Sequence, residues 1–191
     1  FAVEEFRIAF AFDSPVDEKR GIAAVIEQDR VEKARTLLRK GNEIGQMMKV
    51  VGEEGTSLED FTTYLKAEFL DAVYLQQNAF SESDATTPVA RQKVMFDIVE
   101  KALLGEYSID DKADMRKFFM DLQQTFIDWN DKPFESDEFN NLKAELEKMA
   151  EALLWLSENP ARNFREALQF FRILHYALWL EGNYHNTVGR F

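Results

Sequence analysis

Apolar residues recur at steps of three, four and seven along most of the chain, and this spacing predicts amphipathic helices. The cleanest run alternates steps of three and four, as in a helix that packs at a shallow angle; it consists of Phe139, Leu142, Leu146, Met149, Leu153 and Leu156. Comparable spacing predicts helices over residues 31–51, 61–75, 88–105, 110–129 and 163–180. Residues 1–30 fit a helix or a strand, and a helix is favoured because no other segment offers a strand partner. The prediction is therefore an all-α helical bundle of five to seven helices.

The ends of these helices are marked by capping residues and by one polar segment. Ser57, with Asp60 three residues on, has the chemistry of an N-cap before the second helix. Residues 78–87 are rich in Ser, Asp and Thr and are predicted to form a loop. Thr87 then fits an N-cap, with Pro88 in the first turn of the third helix, where its missing N–H is harmless. Two glycines inside the first helix indicate close packing or a weak turn.

Composition excludes several classes of partner. The chain has 35 acidic residues against 23 Lys or Arg, a formal charge of -12. Such a surface repels phosphate backbones, so nucleic acid is not expected as a partner. No apolar run approaches the ~20 residues that cross a bilayer, so direct membrane insertion is not expected. The lack of cysteine excludes thiolate chemistry by this chain and, with no secretory signal in view, favours the cytoplasm.

No self-contained catalytic or metal site is predicted. The glycine-containing segment 51–56 has two acids and no lysine where a phosphate loop needs one. His175 and His185 are too far apart to form a zinc pair on one helix face. The acidic pairs at residues 53–54 and 110–111 are interpreted as helix caps and dipole partners. The residues predict a scaffold, an interface, or one wall of a site that other parts complete.

Residues 74–80 read Tyr-Leu-Gln-Gln-Asn-Ala-Phe and resemble a segment in the C-terminal helical domain of the catalytic A subunit of vacuolar/archaeal-type rotary ATPases. Residues 37–44, 50–55 and 87–92 resemble three further stretches of the same domain, and all four lie in the order that this family has them. The resemblance covers about residues 31–150. It implies a helical bundle at the membrane-proximal end of an A subunit, around the central rotor shaft.

In this family a turn close to the adenine pocket corresponds to Gln77, Asn78, Ala79 and Phe80, which become candidates for the pocket wall. The alternative role for Phe80 is a hydrophobic plug at a helix end. The nucleotide-binding domain has no counterpart here, so no cofactor is expected in this chain, and ATP and Mg²⁺ would belong to the parent complex. The implied partners are rotor-shaft subunits and neighbouring catalytic and non-catalytic subunits. The parent would be a proton- or sodium-translocating ATPase, cytoplasmic and peripheral to the membrane.

Residues 153–191 resemble a different family, the glycyl radical enzymes of the pyruvate formate-lyase and diol dehydratase type. The likeness lies in Asn-Pro-Ala-Arg-Asn-Phe-Arg-Glu-Ala-Leu-Gln at 159–169 and in Leu-Glu-Gly-Asn-Tyr-His-Asn at 180–186. It implies a substrate contact for His185, whose alternative is a loop histidine bonded to the backbone. The radical glycine and the catalytic cysteine of that family lie beyond the matched segment.

Two resemblances in one chain leave three hypotheses. The first is a non-catalytic helical domain of a rotary ATPase catalytic subunit, with residues 1–30 unassigned, 31–150 forming the bundle and 151–191 a C-terminal helix and tail. The second is a fragment of a glycyl radical lyase or dehydratase. The third is a chimeric or engineered helical protein without activity. Whether the protein is an enzyme stays open, because this chain alone lacks a catalytic site, although the parent in the first hypothesis would be an ATPase.

Overall fold

The computed structural model describes residues 26–85, 87–105, 107 and 109–158, with side chains as far as residue 149. Its elements in chain order are α1 (Gln28–Val51), α2 (Leu58–Leu70), a π-helical turn (Asp71–Leu75), α3 (Glu82–Ala85), α4 (Val89–Leu104), α5 (Lys112–Asn130) and α6 (Asp137–Glu158). Every regular element in this part of the chain is helical, which confirms the all-α prediction. The expectations for residues 1–25 and for the helix over 163–180 lie outside the described residues.

α2 and the π-helical turn lie at the centre of the bundle, where they contact α1, α4 and α5, while α6 packs on α4 and α5. Aromatic side chains dominate the buried core, because they remove the largest apolar areas from water. They are Phe61, Phe69, Tyr74, Phe96, Phe118, Phe119, Phe126, Trp129 and Phe139. The predicted apolar seam of α6 is confirmed through residue 149.

Two predicted helix caps are confirmed. The hydroxyl of Ser57 accepts the N–H of Asp60 at 3.1 Å and so caps α2. The carboxylate of Asp111 accepts the N–H of Asp114 at 2.9 Å and caps α5. Each bond satisfies one of the backbone donors that a helix leaves unpaired in its first turn.

The polar segment 78–87 is not simply a loop, as the sequence predicts, because it contains the short helix α3. The N–H of Ala85 donates to the carbonyl of Ser81 at 2.8 Å, which closes one helical turn. The Ser81 hydroxyl also accepts the N–H of Asp84 at 3.4 Å. The Ser81 hydroxyl thus caps a single helical turn in a stretch of otherwise loop-like composition.

The predicted N-cap of the next helix is wrong by one residue. Pro88 has extended backbone and is the N-cap residue, and Val89 begins α4. The hydroxyl of Thr87 donates to the carbonyl of Asp84 at 2.8 Å instead of capping the helix. The carbonyl of Thr87 accepts from the side-chain amide of Gln92 at 3.1 Å. Thr87 thus joins α3 to α4.

Two cationic side chains attach the α1–α2 hairpin to the rest of the bundle. Arg30, near the start of α1, donates to the carboxylate of Glu100 on α4 at 2.8 Å, and this hydrogen bond raises the pKa of Arg30. Lys112, at the start of α5, donates to the carbonyls of Glu53 at 2.7 Å and Thr56 at 2.6 Å. Both ends of the hairpin are therefore held by charge-assisted hydrogen bonds.

Gly41 lies where α1 meets α2, and a Cβ built on it would stand 2.2 Å from the Cβ of Ala67. We expect Gly41→Ala to destabilise the fold by a net ~1–2 kcal/mol, because overpacking outweighs the gain in helix propensity. Urea unfolding of Gly41→Ala, Ala67→Gly and the double variant checks this. The double variant should lose less than the sum of the two, whereas additive losses would show that the two positions are not in contact.

Candidate functional site

The site begins where α2 changes into the π-helical turn. The N–H of Gln76 donates to the carbonyl of Asp71 at 2.9 Å, five residues back. This wider turn buries three consecutive side chains, residues 73–75, and is followed by five exposed residues, 76–80. The predicted helix over 61–75 is therefore α-helical only as far as Leu70. Such π-turns in α-helices are frequent at functional sites.

The four candidate pocket-wall residues, Gln77, Asn78, Ala79 and Phe80, lie together in the exposed turn after the π-helix. The N–H of Asn78 donates to the carboxylate of Asp84 at 2.6 Å, and the side-chain amide of Gln77 donates to the Asp84 carbonyl at 3.1 Å. The side-chain oxygen of Asn78 accepts the N–H of Phe80 at 3.0 Å. These bonds fix the turn, which we call the Gln77–Phe80 turn, against α3.

Phe80 is the most exposed large apolar side chain in the described part of the chain, at 101% of its reference area. A phenyl ring left in water forgoes about 1.5–3 kcal/mol relative to a buried one. A hydrophobic plug at a helix end would be buried, and Phe80 is not. Its ring is instead available to a group outside the described bundle.

A cleft of about 390 Å³ opens beside the Gln77–Phe80 turn, between the end of α2 and the end of α5. Gln76 and Asn78 line one side, and Ile127, Asp128 and Asn130 line the other. The volume falls within the range of small-molecule sites. Because the lining includes carboxylates and no lysine or arginine, the cleft disfavours a phosphate.

Arg91 and Asn130 are buried and form hydrogen bonds with the segments on either side of the Gln77–Phe80 turn. The sequence did not assign either residue to the site. Arg91 on α4 donates to the carbonyls of Ser83 at 3.0 Å and of Asn130. The side-chain amide of Asn130 donates to the carbonyl of Val73 in the π-helical turn at 2.8 Å. The sequence does carry a signal for Arg91, because it stands four residues before the buried Met95 and so shares its helix face.

The described residues do not assemble a metal centre. Within them, no three His, Cys, Asp or Glu side chains come together as a metal ion would require. His185, the candidate substrate contact, lies outside the part of the chain that the structure describes. None of the described helices is both long and apolar enough to cross a membrane.

Comparisons with known proteins show two families to which parts of this chain are similar. Residues 28–118 match the family described as the C-terminal domain of V and A type ATP synthase. Residues 119–191 match the family described as pyruvate formate lyase-like. The bundle is therefore homologous to the C-terminal domain of the V-type ATP synthase alpha chain, and it continues into a pyruvate formate lyase-like segment. Both predicted resemblances are confirmed, and the second match is longer than the 153–191 expected from sequence.

The individual relatives that this chain matches are V-type ATP synthase alpha chains. The V-type ATP synthase alpha chain of Borrelia duttonii (strain Ly) is 43% identical over 136 residues, which is 71% of this chain and 24% of the relative. That of Borreliella burgdorferi (strain ZS7) is 47% identical over 130 residues, 68% of this chain and 23% of the relative. The chain thus spans about a quarter of the length of these relatives. Alignments of this length in a chain of 191 residues extend past residue 118 wherever they begin.

Proposed function

We propose that this chain supplies the non-catalytic helical domain of a V/A-type ATP synthase alpha subunit, in which the Gln77–Phe80 turn forms one wall of the adenine pocket. The observation that carries the proposal is the fully exposed ring of Phe80 on a turn fixed by hydrogen bonds. The remaining walls and the reactive groups come from the part of the alpha chain that these residues do not cover.

The chemistry of the site suits a base better than the other parts of a nucleotide. An aromatic ring stacks on a nucleobase through its face, and a stack contributes about 1–3 kcal/mol per base. The carboxylates that line the cleft disfavour the phosphates. The described residues also offer no cluster that fits Mg²⁺. ATP would therefore meet this domain through its adenine, while the preceding domain of the alpha subunit holds the phosphates and the metal.

The second role we propose is contact with the rotor shaft through the tip of the α1–α2 hairpin. Three apolar side chains at the end of α1 are exposed, Val50 at 86%, Val51 at 52% and Met47 at 40%. Glu54, in the same tip, is exposed as well, and Lys112 holds the tip against α5. An exposed apolar tip suits docking of an amphipathic helix, and the net acidic charge of the chain favours a basic one, which is the chemistry we expect of the shaft.

In this assignment the chain works inside an assembled head, next to other catalytic and non-catalytic subunits. The head would lie peripheral to the membrane on its cytoplasmic side. The formal charge of -12 suits docking on basic surfaces and raises the rate of encounter with them at low salt. By itself the chain is expected neither to hydrolyse ATP nor to bind it tightly.

The proposed pocket wall is tested by Phe80→Ala in a chimeric ATPase head. The alpha chain of Borreliella burgdorferi receives the aligned part of this chain in place of its own segment, and steady-state ATP hydrolysis is measured. We expect the KM for ATP to rise about tenfold with Phe80→Ala, because a stacking contact is lost. Phe80→Tyr is the matched control, since it keeps the ring and should keep the KM. An unchanged KM for Phe80→Ala would remove the pocket-wall role.

The match of residues 119–191 supports a second candidate, a fragment of a glycyl radical lyase or dehydratase. With no cysteine, this chain cannot carry the thiyl step, so the reaction would need a further segment. The sequence that follows residue 191 in the parent gene decides between the two. A cysteine motif and a glycine loop there would favour the lyase, and a stop codon or unrelated sequence would disfavour it.

A further inference from the structure

We propose that Arg91 is the positioning residue of the Gln77–Phe80 turn: its guanidinium fixes α3 and the end of α5 together and thereby sets where Phe80 points. The functional meaning of this inference rests on the proposed pocket wall. Its structural content does not, because it concerns which bonds hold the turn in the chain itself.

Arg91 is almost completely buried, with 1% of its surface exposed. An arginine is rarely buried to this extent unless its donors are satisfied, because removal of the charge from water is costly. Its Nη1 donates to the carbonyl of Ser83 at 3.0 Å. Its Nη2 donates to the carbonyl of Asn130 and, at 3.4 Å, to that of Trp129. One side chain thus bonds two segments that are far apart in sequence.

The acceptors explain why an arginine is suited to this place. Trp129 and Asn130 are the last residues of α5, where the helix dipole favours a positive charge; the Trp129 carbonyl also accepts the N–H of Lys132 at 3.1 Å. The guanidinium also lies over the ring of Phe139, 5.3 Å from its centroid, at the start of α6. Only a planar fork with several donors reaches Ser83 and the end of α5 at once.

The position of Ser83 transmits this anchoring to the Gln77–Phe80 turn. Helix α3 has four residues, too few to be stable alone, so an external bond has to hold it. The next residue, Asp84, accepts the N–H of Asn78 at 2.6 Å. Asn78 in turn accepts the N–H of Phe80. The path from Arg91 to Phe80 therefore runs through one short helix and three hydrogen bonds: Arg91 to Ser83, Asn78 to Asp84, and Phe80 to Asn78.

The π-helical turn, which precedes the Gln77–Phe80 turn, is also bonded to the end of α5 where Arg91 binds. Asn130, whose carbonyl Arg91 binds, donates its side-chain amide to Val73 in the π-helical turn. Residues 73 and 83 therefore flank the Gln77–Phe80 turn and are both bonded to the Arg91–Asn130 pair. The turn has an anchor on each side.

Amide hydrogen exchange on the 191-residue chain tests the inference, with Arg91→Lys and Arg91→Met as the variants. We expect the protection of the Asn78 and Phe80 amides to fall about tenfold or more in Arg91→Met, because bonds to a charged donor are lost. Arg91→Lys should give a smaller loss, since lysine keeps the charge and not the fork. The amide of Asp60, capped by Ser57 at the other end of α2, reports global loosening.

Lys112→Met is the matched control, because it removes a cation that, like Arg91, bonds three backbone carbonyls, at the opposite tip of the bundle. It should expose amides of the α1–α2 turn and leave Asn78 protected. If both Arg91 variants change Asn78 no more than Asp60, the inference is overturned. If they loosen Asn78 while the KM for ATP of the same variants in the chimeric head stays unchanged, the positioning role stands and the pocket-wall proposal fails.

Discussion

Replacement of Phe69 by alanine is expected to lower the free energy of unfolding by about 3–5 kcal/mol. Phe69 is 1% exposed on α2, and its ring meets those of Phe119 at 6.0 Å and Phe126 at 5.1 Å, both edge to face. The variant loses the burial of a phenyl ring, leaves a cavity, and loses two favourable aromatic pairs. Chemical denaturation followed by far-UV circular dichroism measures the loss.

The same experiment tests whether the two matched segments form one core. Phe69 lies in the stretch that matches the ATP synthase domain, and both of its ring partners lie in the pyruvate formate lyase-like stretch. The boundary between the stretches falls inside α5, between Phe118 and Phe119, whose rings are 5.4 Å apart. Met120→Ala on the exposed face of α5 is the control and should change stability by less than ~0.5 kcal/mol. A loss below ~1 kcal/mol for Phe69→Ala would show that α2 and α5 do not pack as described.

Leu146→Ala is expected to cost about 2–5 kcal/mol, since Leu146 is 1% exposed on α6, the helix that covers α4 and α5. The apolar seam of α6 is the most regular pattern in the sequence. The variant therefore tests whether the residues of this seam are packed in the core as their spacing predicts. Thermal unfolding of the purified chain gives the change in midpoint. Lys148→Ala, two residues away and exposed, serves as the control and should have almost no effect. A loss under half a kcal/mol for Leu146→Ala would mean that this face of α6 is solvated.

The sequence predicts well those features that depend on neighbours along the chain. Periodic apolar residues locate the long helices within a few positions, because a helix face is read directly from the spacing. Ser57 and the acidic pair 110–111 are identified as capping residues because a cap lies next to the helix end that it serves. Gly41 was expected to mark close packing or a weak turn, and Ala67 shows that packing is the reason.

The π-helical turn cannot be predicted from neighbouring residues, because the side chain that stabilises it lies far away in the sequence. The side chain that bonds its Val73 carbonyl belongs to Asn130, 57 residues further along the chain. The same holds for α3, whose Ser83 carbonyl is held by Arg91. From local composition the first segment is an ordinary helix end and the second a polar loop. Tertiary contacts turn them into a π-helical turn and the short helix α3.

The candidate site also has one part that could be predicted from the sequence and one that could not. The Gln77–Phe80 turn was predicted from a resemblance, and the structure places its four residues side by side at an exposed position. The supporting shell of Arg91 and Asn130 could not be predicted, since it depends on the approach of α4 to the end of α5. The one hint that the sequence alone provides is the spacing of Arg91, four residues before Met95 and so on an apolar helix face.

The position of the Phe80 ring in an assembled head tests the central claim most directly. Cryo-electron microscopy of the chimeric head with a non-hydrolysable ATP analogue measures the separation between this ring and the adenine. We expect ring carbons of Phe80 within about 4.0–4.5 Å of the base, with the phosphates held by other residues. An adenine enclosed entirely by other residues, with Phe80 facing solvent or a different subunit, would contradict it.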